Sequence, residues 1–237
     1  MGLKKHLPDQ AGFTLVELLI VIGILAVLLA ITIFAINPVQ QFQNARNAQR
    51  QSDVTSILDA IYAYEAGNSG KTPPSAANVT TTAKYIGFVA AQTATGTSFA
   101  TPNLTFSGLS SNPITTAGGS VTVSGCSQAG DNGTFTVVSG TSTTLVVSDA
   151  GASGTSATGC SISNWTDRID LCTDVVSTYI AAIPMDPSGS TGTQCTVNPH
   201  ASSSYNSGYR IAINAAGNRY TIDAPSAENS ATISVTR

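Results

Sequence analysis

The chain has 237 residues, enough for one large domain or two small ones. Only 10% of them are charged, against about 25% in a typical soluble protein. Ten Lys and Arg against 13 Asp and Glu give a net charge of −3, so no basic patch for nucleic acid can be assembled, and two His with four Cys leave little material for a His-rich metal site or a His-based active site. Thr (31), Ser (28) and Gly (21) dominate the rest, with too few charges for a solvating disordered tail.

Residues 1–12 read MGLKKHLPDQAG, a short segment with Lys4 and Lys5, a helix-breaking Pro8 and a closing Gly12. Residues 13–36 follow, twenty-four residues whose one charge is Glu17. As a helix this run is about 36 Å long, against a hydrocarbon thickness of about 30 Å. Lys4 and Lys5 flank it on one side and nothing basic stands nearer than Arg46 on the other, so the positive-inside rule puts the N-terminus in the cytoplasm. The run is too long for a signal-peptide core and no small-residue cleavage pattern follows it. A plain anchor explains length and flanking charge but leaves Glu17 without a reason, since a carboxylate at depth in lipid costs at least about 2.5 kcal/mol. Thr14-Leu15-Val16-Glu17 also satisfies the S/T-x-x-E capping box, a local reason for the carboxylate.

The string G-F-T-L-V-E, Gly12 to Glu17, ahead of an unbroken apolar run and behind a short basic leader, resembles the N-terminus of type IV pilins and pseudopilins. The resemblance is close over residues 1–66 and loose beyond. It implies cleavage between Gly12 and Phe13 by a membrane-embedded prepilin peptidase on the cytoplasmic side, and N-methylation of Phe13. It implies that Glu17 neutralises the new α-amino group of a neighbouring subunit as subunits dock. The partners implied are copies of the chain itself, the peptidase, a pilus assembly platform, and membrane lipid before assembly.

Residues 37–66 continue the helix. Asn37-Pro38 disfavours helix at Asn37 and predicts a kink or a short unwound stretch. Many pilins carry a Pro nearer the position of Phe34, so the departure places any melted stretch a turn later. Val39, Phe42, Ala45, Val54, Ile57, Leu58, Ile61 and Tyr64 form one apolar stripe, with Arg46, Arg50 and Asp53 on a polar face. Gly67-Asn68-Ser69-Gly70 ends the helix.

From residue 67 to 237 the pattern predicts a β-rich head. Val121–Val123, Thr134–Val138 and Thr143–Ser148 read as strands, the last two as a hairpin, and Gly208–Asn214 with Asn218–Asp223 as a second hairpin. Ala231–Val235 closes the sheet, and Thr166–Ile183 reads as a helix. Residues 93–163 look like an enlargement of the head, and the strings Ile-Pro-Met-Asp-Pro (183–187), Tyr-Arg-Ile (209–211) and Asn-Arg-Tyr-Thr-Ile (218–222) weakly resemble the C-terminal part of pilin-like proteins of Gram-positive-type organisms. Cys126, Cys160, Cys172 and Cys195 all lie beyond the span, and their even number in an exported body reads as two disulfides. Three connectivities are open; pairing nearest neighbours, Cys126–Cys160 and Cys172–Cys195, is preferred. No C-x-x-C or His-paired spacing points to zinc.

No nucleophile-elbow, Walker A, H-E-x-x-H or G-x-G-x-x-G string occurs. His200 reads as a surface loop residue, and Asp167, Asp170 and Asp174 as the polar face of the expected helix. Asp186, Ser188 and Asn198 resemble part of the calcium loop of some major pseudopilins, without a full set of oxygen ligands. Asn78, Asn103, Asn132 and Asn164 head N-x-[ST] strings. The expected fold is therefore α+β: a long N-terminal helix whose C-terminal half packs on an antiparallel sheet. The expected function is a non-enzymatic filament subunit without cofactor or metal. The alternatives are a minor pseudopilin of a type II secretion or DNA-uptake system, and a singly anchored β domain that never polymerises.

Overall fold

The computed structural model describes residues 12–110, 117–149, 151, 158–196 and 204–237, divided into an N-terminal unit up to Ala45 and a body from Arg46 to Arg237. Lys4, Lys5, Asn198 and His200 lie outside the described residues. Helix α1 (Leu15–Ile36) starts at Thr14 and stops at Asn37, which takes a left-handed conformation (φ 44°) and donates its N–H to Ile33 O. Helix α2 (Pro38–Gly67) begins at once, with Pro38 in the first position, where a missing N–H costs nothing. The expected break is therefore one residue wide.

After α2 the elements are β1 (Lys84–Phe88), β2 (Gln92–Thr93), β3 (Gly96–Ala100), β4 (Asn103–Ser107), β5 (Ser120–Ser124), β6 (Gly133–Gly140), β7 (Thr144–Ser148), β8 (Ser161–Ser163) and β9 (Arg168–Ile169). The one-turn helix α3 (Cys172–Val175), β10 (Thr191–Gly192), β11 (Tyr205–Ile213), β12 (Tyr220–Asp223) and β13 (Ser234–Thr236) complete the chain. The first sheet runs β13-β12-β11-β1-β9, with β10 beside β11; it is antiparallel except for the β1–β9 pair. Both expected hairpins form, β6–β7 and β11–β12. Val54, Ile57, Leu58 and Ile61 of α2 are fully buried in one core with Ile86, Tyr209, Ile211 and Ile222 of the sheet.

The enlargement is a second sheet with its own core, ordered β2-β8-β5-β6-β7-β4-β3. Its two edges belong to one continuous segment. Ala94 N–H reaches Cys160 O at 2.8 Å and Thr95 N–H reaches Ser107 O at 2.9 Å, so the chain changes partner between these two residues and the sheet closes on itself as a small barrel. β2 and β3 keep one partner each, so the edges that remain are short. Leu104, Phe106, Val121, Val137, Leu145, Val147 and Ile162 fill the interior. The barrel leaves the first sheet after β1 and returns at β9, two strands that pair with each other (Tyr85 with Arg168, Ile86 with Ile169).

Two expectations need correction. Thr166–Ile183 is not a helix: only Cys172–Val175 is helical, and Val176 is extended. The helical spacing of Ile169, Cys172, Val176 and Ile183 reflects burial in an irregular segment, since all four are at most 2% exposed. Arg168–Ile169 is recruited by β1, and the Asp170 carboxylate takes the Cys172 N–H and the Thr173 hydroxyl, an alternative to helical bonding. Val175-Val176 and Thr178 are β-branched, and Ser177 sits at φ +70°. Asp167, Asp170 and Asp174 thus share no helix face. The second concerns the polar face of α2, whose Arg50 and Asp53 turn out to be buried, at 0% and 5% exposure.

Candidate assembly site

Gly12 and Phe13 precede α1 and are exposed, Phe13 by 90%. Thr14 caps the helix. Its hydroxyl accepts the Glu17 N–H at 3.2 Å, and Glu17 Oε2 accepts both the Thr14 N–H and the Thr14 hydroxyl at 2.8 Å. This is the capping box expected from T-L-V-E. The same position suits a carboxylate for a second reason, because the helix N-terminus carries partial positive charge.

None of the residues of α1 is buried. Sixteen of its 22 residues are Leu, Val, Ile or Phe, and at about 1.5–3 kcal/mol each for removal from water they leave tens of kcal/mol for a membrane or for other subunits to recover. The apolar character surrounds the helix on all sides, as a helix in lipid requires. By length and composition the helical run Leu15–Gly67 holds one segment able to cross a membrane.

Within the body, α2 is held by charge as well as by its apolar stripe. The Arg50 side chain is 0% exposed, with Nε 2.8 Å and Nη2 3.2 Å from the Asp186 carboxylate and Nη2 2.6 Å from Ser188 Oγ. Nη1 donates to Asn47 Oδ1 at 2.8 Å and to Glu228 at 3.1 Å, and Glu228 also takes a bidentate pair from Arg46 at 2.7 and 2.6 Å. Burial pushes the Asp186 carboxyl up, but Arg50 and the Ser188 and Gly189 amides together hold it below its usual range. Arg46, and then Arg50, bring Glu228 down to about 2 against the opposing effect of burial. Burial raises Asp53 against hydrogen bonds from Tyr209 (2.6 Å) and Gln49 (3.0 Å). Gly208, at φ +84°, lets β11 pass under this loop, since a Cβ there would stand 2.7 Å from Asp186 Cβ. Asp186 and Ser188 are thus spent on anchoring α2.

The four cysteines form two disulfides, Cys126–Cys160 in the barrel core and Cys172–Cys195 in the core beneath the first sheet. A cleft of about 380 Å³ is lined by Lys84, Gly119, Thr166, Asp167 and Arg210 among others. Its cations are engaged elsewhere, Lys84 by Asn78 O and Arg210 by Asp223. Among the described residues no three His, Cys, Asp or Glu side chains are grouped to hold a metal ion. Of the N-x-[ST] strings, Asn132 is internally bonded to Cys126 and Gln128, whereas Asn78 and Asn164 are exposed.

Residues 7–33 match the family description "Prokaryotic N-terminal methylation motif". The chain carries the type IV prepilin leader signature. The motif begins at residue 7 and ends within α1, so it takes in Gly12, the capping box and most of the uncovered helix. It indicates a pilin- or pseudopilin-like precursor with an N-terminal apolar helix. No curated protein and no solved structure matches the chain. Sequence reasoning missed the Arg50–Asp186–Glu228 network. Its only signal was two charges, Arg50 and Asp53, three residues apart on a helix whose apolar stripe resumes at Val54.

Proposed function

We propose that the chain is a structural subunit of a type IV pilus-like filament, inserted in the membrane by residues 13–36 with its N-terminus cytoplasmic. A prepilin peptidase hydrolyses the Gly12–Phe13 peptide bond, releases residues 1–12, and the new amine of Phe13 is methylated. The observation that carries this reading is the methylation motif set on a helix none of whose residues is buried. In the membrane, lipid covers α1; in the filament, the same helix of other copies replaces the lipid. Residues 37–66 join this segment to the head at 67–237. Catalysis has no part in the role.

Glu17 is assigned the docking step. The α-amino group of Phe13 enters an apolar bundle on assembly, where an unpaired buried charge opposes assembly by several kcal/mol. A neighbouring Glu17 carboxylate removes that penalty while its Thr14 contacts hold it in place. Glu17→Ala also loses the capping box, a local cost of about 0.5–2 kcal/mol that lipid burial of α1 easily outweighs. The expected result for Glu17→Ala is mature subunit in the membrane and no filaments by electron microscopy. Normal filaments would reduce Glu17 to a helix cap and remove the docking assignment.

A further inference from the structure

The barrel has an unusual charge pattern. Residues 92–163 contain two ionisable charges, Asp131 and Asp149, and no Lys, Arg, Glu or His. Both aspartates are buried, Asp131 at 0% and Asp149 at 7% exposure. The outer wall of the barrel therefore bears no formal charge at any pH. Ser and Thr make up 29 of these 72 residues. Several stand in cross-strand register: Ser120, Thr136 and Ser148 form one row with Asn103 over β5, β6, β7 and β4, and Thr122 stands opposite Thr134. The remaining 21 charged residues all belong to the leader, the helices, and the segments that carry the first sheet.

We propose that the outer wall of the barrel is a contact surface between copies of this chain. Three properties favour a second copy as its occupant. Identical charged surfaces repel when they meet, and this wall has no charge to repel with. Each hydroxyl both donates and accepts, so two copies of the same wall complement each other, which like-charged groups cannot do. Ser and Thr lose far less side-chain entropy on contact than Lys, Arg or Glu. A single wall-to-wall contact of this kind is weak. The inference rests on the filament reading for its strength, because a filament repeats the wall along its length and multiplies the contact.

The test uses filaments of the full chain. Thr134 and Thr136 are exposed on β6, so Thr134→Lys with Thr136→Lys adds charge without disturbing the interior. Wild-type filaments should sediment as side-by-side bundles at ionic strengths from about 0.01 M to about 1 M, over which the screening length falls from about 30 Å to about 3 Å. The double-Lys variant should lose its bundles at low salt and regain them at high salt. Mixing it with filaments carrying Thr134→Glu and Thr136→Glu should restore bundles at low salt. Wild-type filaments that stay single at every salt concentration, or a Lys variant that bundles like wild type, would overturn the proposal. So would single wild-type filaments that co-sediment with dextran, which would make a neutral glycan the occupant. Should no filament form, the filament reading fails separately. The wall is then read by sedimentation velocity of the detergent-solubilised chain at the highest concentration the detergent allows, where even a weak contact makes the sedimentation coefficient rise with concentration: a rise abolished by the Lys pair upholds it, and no rise in either chain refutes it.

Discussion

Removing the Asp186 carboxylate should destabilise the body far more than removing any exposed charge. In Asp186→Ala the Arg50 guanidinium, 0% exposed, loses its partner at 2.8 and 3.2 Å and keeps Glu228, Asn47 and Ser188. The amides of Ser188 and Gly189 lose an acceptor at 2.8 Å each. Breaking a buried ion pair from one side costs about 3–5 kcal/mol. For a body of this size each kcal/mol moves Tm by about 2–4 °C, so a fall of about 6–20 °C is expected. The assay is thermal unfolding of the full chain in detergent, followed by the near-ultraviolet dichroism of its tyrosines. Two comparisons sharpen it. Arg50→Met combined with Asp186→Ala removes both charges and should cost less than Asp186→Ala alone. Arg237→Ala breaks the pair with Asp59, whose side chains are about half exposed, and should cost at most about 1 kcal/mol. A Tm change below about 2 °C for Asp186→Ala would refute the anchoring role of the network.

Thiol labelling of the denatured, unreduced chain should modify none of the four cysteines, and all four after reduction; labelling without reductant would contradict both disulfides and the oxidising compartment they imply. Acid should weaken the body in a defined window. Glu228 is held at about 2 in the folded chain against an ordinary 4.5, so its contribution is complete above about pH 4.5 and is lost as pH falls towards 2. Asp186, also lowered, acts in the same direction, while Asp53, raised by burial, acts in the opposite one. Stability measured by urea unfolding should fall across that window in the wild type and fall less in Glu228→Gln; equal slopes would show that Glu228 carries none of the effect.

Local chemistry made much of the chain legible. The T-L-V-E cap, the break at Asn37-Pro38 and the end of α2 at Gly67 each depend on residues within a few positions of one another. The hairpins β6–β7 and β11–β12 depend on short turns between alternating strands. What stayed hidden depends on distance in sequence. Arg50 and Asp53 read only as a polar face because Asp186 and Glu228 lie 136 and 178 residues from Arg50, and Tyr209 lies 156 from Asp53. The barrel looked like a loose enlargement because its closure depends on Ala94 and Thr95 choosing different partners, one of them 66 residues on. Thr166–Ile183 showed a helical period produced by burial alone, and the β-branched Val175, Val176 and Thr178, which weaken a helix, were the signal to heed.

The central claim is that this chain is cut behind Gly12 and enters a filament by its new N-terminus. Intact-mass analysis with N-terminal fragmentation, on protein from its own host, tests it most directly. The account requires a mature chain shorter by the twelve leader residues, 225 in all, beginning with N-methylated Phe13 and carrying a net charge of −4 once Lys4, Lys5 and Asp9 are gone. A chain that still begins at Met1, or one cut beyond residue 30, would contradict it.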